Sequence, residues 1–411
     1  MAHDDDRALP RQPIDRLLAP VERFLHVESA GGVVLCVCAL VALGLANSPL
    51  GPAVDAFWHT PIGVTIGHLQ VSHSLEHWVN DGLMVLFFFV IGLEVKREIV
   101  LGALSDVRSA TLPLVAAVGG MAVPAGVYLA LRAGTPDARG WGVPMATDIA
   151  FVVGCMAILG RRVPPRLRIM VLAIAIADDI GAILVIAIAY ASAIDYVALG
   201  LGGVGIALVG GLRRLGVRSL IAYALVGFGV WIAFLGSGVH ATIAGVILGL
   251  LTPAHPHVGT SALAPLVERM TRRLRGDASV QERVSGVKSL REAARETVSP
   301  LEFLERSLHP WVAFVVMPVF ALANAGVAID RHALGHPVAV AVAIALVVGK
   351  PIGIVAFSWL AVAMRVARLP DGVGWGALVG AGALAGIGFT MALFVADLAL
   401  VVLADRRSRT A

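Results

Sequence analysis

Two adjacent aspartates, Asp178 and Asp179, stand near the middle of a strongly apolar run at 169–190, in the stretch VLAIAIADDIGAILVIAIAY. Successive helical residues point about 100° apart, so the pair covers two neighbouring directions. One carboxylate can face a water-filled cavity while the other meets a partner helix. Two like charges this close cannot both ionise cheaply in a low dielectric, so at least one is expected to hold a proton. A carboxylate poised in that way holds either a proton or a small cation. Competition between the two for one site is the physical core of cation/proton exchange. The plainer alternative is a buried aspartate paired with Lys350 and otherwise inert.

Lys350 lies in VVGKPIGIV, near the middle of the apolar run 337–363, and is the one Lys or Arg inside any such run. It could neutralise an aspartate, carry a proton, or do both. Pro351 follows it and is expected to kink the helix and free a carbonyl. Asp148 sits in GWGVPMATDIAFVVG, where Pro144 and the Thr147–Asp148 pair make poor mid-helix sequence. An interrupted helix is expected there. A second interruption is expected in GALAGIGFTMALF, with Gly382, Gly386, Gly388 and Thr390. Opposed broken helices present dipole ends and free backbone groups at mid-depth, the pattern of a transporter site between inverted repeats. Close helix packing is the bland reading of the glycines alone. The remaining charges in apolar runs are Asp81, Glu94 and Asp397. The first two read as helix-end charges that reach toward water, and Asp397 has no assigned role.

Such groups need a reason, because an ionisable side chain in a membrane span costs about 2.5–3.5 kcal/mol on insertion scales. That the runs are spans follows from composition. Of 411 residues, 58% are hydrophobic and only 15% charged, with 32 basic and 28 acidic side chains. These charges are too few to cover a soluble chain of this length. A soluble enzyme, a disordered chain and a fibrous protein are all disfavoured. The net charge of +4 hints at nucleic acid, but in a membrane protein it reflects basic cytoplasmic loops. Cys36, Cys38 and Cys155 lie in apolar runs without CxxC spacing, so they read as small buried hydrophobes rather than disulfide partners.

Runs of about 20 apolar residues occur at 30–47, 78–95, 110–131, 142–159, 169–190, 197–212, 219–235, 238–253, 311–328, 337–363 and 375–402. An all-α bundle of eleven spans is expected, with 142–159 and 238–253 short and broken. If the N-terminus is cytoplasmic, 25 of the 32 basic residues fall inside and 6 outside, which sets the orientation. Arg406, Arg407 and Arg409 then fall outside, a conflict that an odd span count produces. The polar segment 1–29 reads as a retained cytoplasmic segment rather than a signal peptide. Within it, Ile14, Leu17, Leu18, Val21, Phe24 and Leu25 share a helical face suited to the membrane surface. Residues 30–402 form the membrane domain and 403–411 a short tail. The basic loop 254–310 places Leu263, Leu266, Val267, Met270 and Leu274 at helical spacing. It reads as a solvated connector that touches anionic lipid.

The sequence resembles the NhaA-type sodium/proton antiporters of bacterial inner membranes. The resemblance rests on FFFVIGLEVKREIV, PMATDIAFVVG, AIADDIGAILVIAIAY, SGVHATIAGVILG, LHPWVAF, FALANAGV, GKPIGI and GIGFTMALF, in family order. That family is among those from which the rule of inverted repeats and broken helices was drawn. The resemblance implies that Asp178 and Asp179 carry the ion and the proton. Asp179 would be the main ligand for a transient Na+, and Asp178 the partner that bridges to Lys350. Thr147 and Asp148 would lie at the helix crossing, with Asp148 offsetting facing positive helix ends. Glu94, Arg97, Glu98, Glu305 and His309 would line a cytoplasmic funnel used in pH-dependent activation, and His240 would modulate the pH response. Electrogenic export of sodium, with lithium as a second cargo, is implied for pH and sodium homeostasis, with no resident cofactor. The family tends to dimers in lipid, and no nucleic-acid partner or enzymatic step is expected.

The sequence departs from the family in three places. The family usually has twelve spans, Asp397 falls where it favours a small or uncharged residue, and the loop 254–310 is enlarged. Three readings compete with exchange. A truncated inactive relative would follow from the missing span. An intramembrane aspartyl protease needs two acids sharing a proton, but the GxGD motif is absent and these acids are adjacent rather than on facing spans. A cation channel could use acids without a proton step.

Overall fold

The computed structural model describes residues 28–66, 69–102, 104–190, 194–217, 219–256, 297–329 and 335–410, with a few single positions between 265 and 288. The helices are α1 (Glu28–Ala46), α2 (Gly51–Trp58), α3 (Met84–Val100), α4 (Val107–Arg132), α5 (Ile149–Leu159), α6 (Pro165–Ala189), α7 (Tyr196–Arg214) and α8 (Leu220–Leu235). They continue with α9 (Thr242–Leu251), α10 (Pro300–Trp311), α11 (Met317–Asn324), α12 (Pro337–Ile344), α13 (Lys350–Ala363), α14 (Trp375–Ala385) and α15 (Phe389–Thr410). The chain is an all-α, multi-span helical bundle.

Sequence explains the helix ends. Asp106, Asp195, Ser219 and Ser299 cap α4, α7, α8 and α10 by accepting hydrogen bonds from first-turn N–H groups, which otherwise lack partners. Prolines open α6, α10 and α12, where a missing N–H costs nothing. Wide π-turns at Val312–Val316 and Ala345–Gly349 join α10 to α11 and α12 to α13. Each lies just before a proline, Pro318 or Pro351. The ring would clash with the carbonyl one turn back, and the wide turn relieves the clash without ending the helix.

Five helical stretches are each long and apolar enough to cross a membrane: Val107–Arg132, Pro165–Ala189, Tyr196–Arg214, Pro300–Asn324 and Pro337–Ala363. Three helix pairs bend sharply at a short break: α1 turns through 116° into α2, and two further passes are broken pairs. Pro136–Met145, a 3-10 arm, meets α5 at 41°, and α14 meets Phe389–Ala399 of α15 at 48°. α6, which carries Asp178 and Asp179, is the most deeply buried of the long helices. α7 instead exposes Val197, Leu201 and Val204, an apolar face that suits lipid.

Glycines set the closest packing. On α4 and α13, Gly119 and Gly353 face each other so tightly that a Cβ on either would overlap the other's carbonyl oxygen. On α3 and α9, a Cβ at Gly92 would come within 2.6 Å of the Val246 carbonyl oxygen. Such contacts drive helix association where lipid removes the hydrophobic advantage. Ion pairs tie the loop ends of the bundle: Arg166–Asp371 at 2.7 Å at one end and Arg132–Asp137 at 2.7 Å at the other.

Each of the eleven apolar runs lies on a helix or a broken pair, with shifted bounds. The run expected at 311–328 begins at Pro300, because Ser299 caps a charged amphipathic half-helix that apolar counting overlooks. The run at 238–253 shortens to Thr242–Leu251, since Gly238 takes φ +78° in the turn before it. Between the first two runs lie α2 and an antiparallel hairpin, Pro61–Ile66 with Leu69–Ser74, pairing Pro61 with Ser74. The hairpin was not expected from the sequence. The surface helix expected at 14–25 lies outside the described residues, as do nearly all of the pattern at 263–274 and the side chains of Arg406, Arg407 and Arg409.

Candidate functional site

The two broken passes cross at their breaks. Gly386 ends α14, and a Cβ there would lie 2.6 Å from the Leu346 carbonyl oxygen. A Cβ on Gly388 would lie 3.0 Å from that of Ala146. The backbones therefore approach as no other residue type would allow. Asp148 N–H donates to the Ile387 carbonyl at 2.9 Å, which pins one break to the other.

Asp148 is fully enclosed there and caps two helices at once. Its Oδ1 accepts from Phe151 N–H at 3.0 Å, in the first turn of α5. Its Oδ2 accepts from Thr390 N–H at 3.2 Å, in the first turn of α15, and from the Thr390 hydroxyl. A carboxylate between two helix N-termini balances two positive dipole ends. Thr390 was noted in the sequence only as part of a glycine-rich break, so its pairing with Asp148 is new.

Directly behind the crossing lies the carboxylate pair of α6. Asp178 and Lys350 have no exposed surface, and Asp179 has 5%. Asp178 Oδ2 accepts from the Thr147 hydroxyl at 2.8 Å and pairs with Lys350 Nζ at 3.1 Å. Lys350 also donates to the Met145 carbonyl, which the break in the arm leaves without a helical partner. Asp178 Oδ1 has no partner among the described residues and points toward Gly120 of α4. Asp179 feels the charges of Asp178, Glu94, Lys350 and Asp148. A lysine, two carboxylates, a hydroxyl and a free carbonyl thus converge inside the bundle. Such a set can exchange an ammonium, a proton or a small cation as the partner of one carboxylate.

Comparison with known proteins follows the same lines. The family model described as Na+/H+ antiporter 1 matches residues 22–411. The Na+/H+ antiporter NhaA of Rhodopirellula baltica is 53% identical over 402 residues, covering 97% of this chain and 91% of that protein. The NhaA of Rhizobium meliloti is 50% identical over 399 residues, with the same two shares of coverage. NhaA 2 of Acidiphilium cryptum is 50% identical over 390 residues, 94% and 87% of the two chains. This chain belongs to the Na+/H+ antiporter 1 family.

The other residues that the family resemblance singles out divide between the two ends of the bundle. Arg97 on α3 pairs with Glu305 on α10 at 3.0 Å and reaches Glu98 at 3.5 Å. Glu94, one turn deeper on α3, feels Glu305, Arg97 and Glu98 and acts in turn on Asp179. It lies on the same helix as Arg97 and Glu98, one turn nearer the middle of the bundle. His309 lies one turn beyond Glu305 on α10 and is exposed.

His240, expected to modulate the pH response, lies apart from this group. It precedes α9, beside Asp81 and the backbone of Tyr190, at the opposite end of the pass that carries Glu94. Chain alternation separates the two, because the turn before α9 and the last turns of α3 face opposite ends.

The end where His240 lies also holds a network the sequence reading missed. Asn80 and Asn324 hydrogen-bond each other at 2.8 and 3.1 Å, and Asn80 donates to Asp397 at 3.2 Å. Asp397 therefore ties α15 to the passes containing α3 and α11. Two asparagines within apolar runs were the available signal.

Proposed function

We propose that this chain is a secondary transporter that exchanges sodium, and lithium with it, for protons across a bacterial inner membrane. The observation that carries the proposal is the buried Asp178–Lys350 pair, 3.1 Å apart, beside Asp179 at the crossing of two broken helices. A purely structural ion pair would gain little there, since desolvation offsets much of the attraction. An exchangeable one can give its carboxylate to Na+ when Lys350 lets go, and take the lysine or a proton back when Na+ leaves.

In this cycle Asp179 is the principal Na+ ligand and Asp178 the switch between ion and lysine. Protons arriving from outside displace Na+, and the low proton concentration of the cytoplasm lets Na+ rebind. Two carboxylates and a lysine offer more proton sites than one Na+ occupies, which fits electrogenic exchange. The basic loops face the cytoplasm and the N-terminus lies there. The Glu94, Arg97, Glu98 and Glu305 cluster, with His309 beside it, is then the cytoplasmic approach where pH regulates entry. His240 acts on the pH response from the other end. Na+ and H+ are cargo, no resident cofactor or enzymatic step is involved, and a homodimer in lipid is the working form.

The test is proton flux in proteoliposomes of the full chain on addition of Na+. Na+ should drive saturable proton movement that responds to a pH gradient, and Asp179→Asn should abolish it. Sodium-driven flux of wild-type size in Asp179→Asn would overturn the proposal, and ungated conductance without proton coupling would favour a channel.

A further inference from the structure

The arm Pro136–Met145 presents an energetic difficulty. It is ten residues of 3-10 helix, whereas such helices rarely persist beyond three or four residues because their hydrogen bonds are poorly aligned. Its far end nevertheless delivers the Met145 carbonyl to Lys350 and the Thr147 hydroxyl to Asp178. Something outside the arm must hold it at that depth.

Two buried tyrosines do so. Tyr190 caps the C-terminus of α6, the helix that carries Asp178 and Asp179. Its hydroxyl donates to the Arg139 carbonyl at 2.8 Å and accepts from Gly142 N–H at 3.1 Å. Tyr128, on α4, donates to the Asp137 carbonyl at 2.8 Å. Both rings are about 1% exposed. They lie so close to the arm that a Cβ on Gly140 would come within 2.6 Å of the Tyr128 hydroxyl, and one on Gly142 within 2.7 Å of the Tyr190 hydroxyl. The arm is thus gripped at three backbone groups from two sides. One side is the helix that bears the carboxylates, so the grip measures the arm's depth against Asp178 itself.

We propose that Tyr190 and Tyr128 are positioning residues for ion exchange, acting through the arm to set where Met145 and Thr147 meet Lys350 and Asp178. This rests on the exchange function proposed above. Wild-type Na+-driven proton flux is therefore measured first, and its absence would refute that function rather than the clamp.

The experiment compares Tyr190→Phe, Tyr128→Phe and Tyr196→Phe in proteoliposomes, with thermal melting of each. Tyr196 is 79% exposed on α7 and serves as the control. Losing the hydroxyl strands buried backbone groups and loosens the arm. Tyr190→Phe should raise the half-saturating Na+ concentration about 3- to 10-fold while maximal flux stays near wild type. Tyr128→Phe, which removes one bond rather than two, should move it the same way by less, and it keeps the test open if Tyr190→Phe does not fold. In a Thr147→Ala background the Tyr190→Phe effect should be smaller, because one of the two groups the arm positions is gone. The proposal is overturned if both Phe variants fold and keep wild-type half-saturation. It is also overturned if maximal flux falls only in proportion to folded protein, or if the Tyr190→Phe effect is undiminished in Thr147→Ala.

Discussion

Removing the charge of Lys350 while keeping its bulk should expose the cost of an unpaired carboxylate inside the bundle. In Lys350→Met, Asp178 loses the ammonium 3.1 Å from Oδ2 and retains the Thr147 hydroxyl, while Oδ1 still has no partner among the described residues. Both members of the pair are fully buried, so water cannot replace the lost partner. Breaking such a pair costs about 3–5 kcal/mol, whereas replacing both members by neutral groups is often nearly free. Unfolding entropy of about 2.1 cal/mol/K per residue makes 1 kcal/mol worth roughly 1.2 °C in a chain of 411 residues. Lys350→Met should therefore melt about 4–6 °C below wild type. Asp178→Asn/Lys350→Met, with no buried charge left at the pair, should return to within about 2 °C. The assay is thermal unfolding of detergent-solubilised protein followed by size-exclusion recovery, beside Na+-driven flux, which both variants should lose. A double variant no more stable than Lys350→Met would refute the reasoning, because the cost would then come from packing and not from an orphaned charge.

Thr390→Val should lose about 1–2 kcal/mol, since the Asp148 cap keeps Thr390 N–H but loses the hydroxyl; melting and Na+-dependent flux would both register it. Gly353→Ala should yield little folded protein by size-exclusion, because its Cβ would overlap the Gly119 carbonyl, whereas Gly376→Ala, with open space around it, should behave as wild type. Asp106 caps α4 from outside the spans, and the Ser109 hydroxyl, with Ser109 N–H, holds its carboxyl below the usual range. A depressed carboxyl stabilises the fold above its unfolded value and loses that effect as pH falls through the folded one. The melting gap between wild type and Asp106→Ala should thus be full near pH 6 and close on acidification below about pH 4; a gap that widens in acid would refute the cap.

Much of this architecture is legible in the chain because charges in apolar runs are costly and therefore few. That ground leaves seven such groups, of which Asp178, Asp179, Asp148 and Lys350 lie away from the run ends, and the structure brings these four to one crossing. The breaks are legible for a different reason. Pro144, Gly386 and Gly388 disfavour helix wherever they sit. The start of α10 was obscured because its first turns are amphipathic, and apolar counting measures mean hydropathy. The hairpin at 61–74 escaped because two six-residue strands between spans carry no lasting period.

Local chemistry marks by itself which segments are apolar enough to cross a membrane, where helices fail, and which ionisable groups are too costly to be incidental, since each depends on a residue and its near neighbours. Tertiary structure alone decides which partners those groups find. It places His240 at the far end from Glu94, joins Thr390 to Asp148, links Asp397 to Asn80, and sets Tyr128 and Tyr190 against an arm that cannot hold its own shape. These pairings join residues far apart in the chain, through side chains such as tyrosine, threonine and asparagine that are ordinary in any membrane helix. Their roles arise only when close glycine packing brings separate passes to hydrogen-bonding distance.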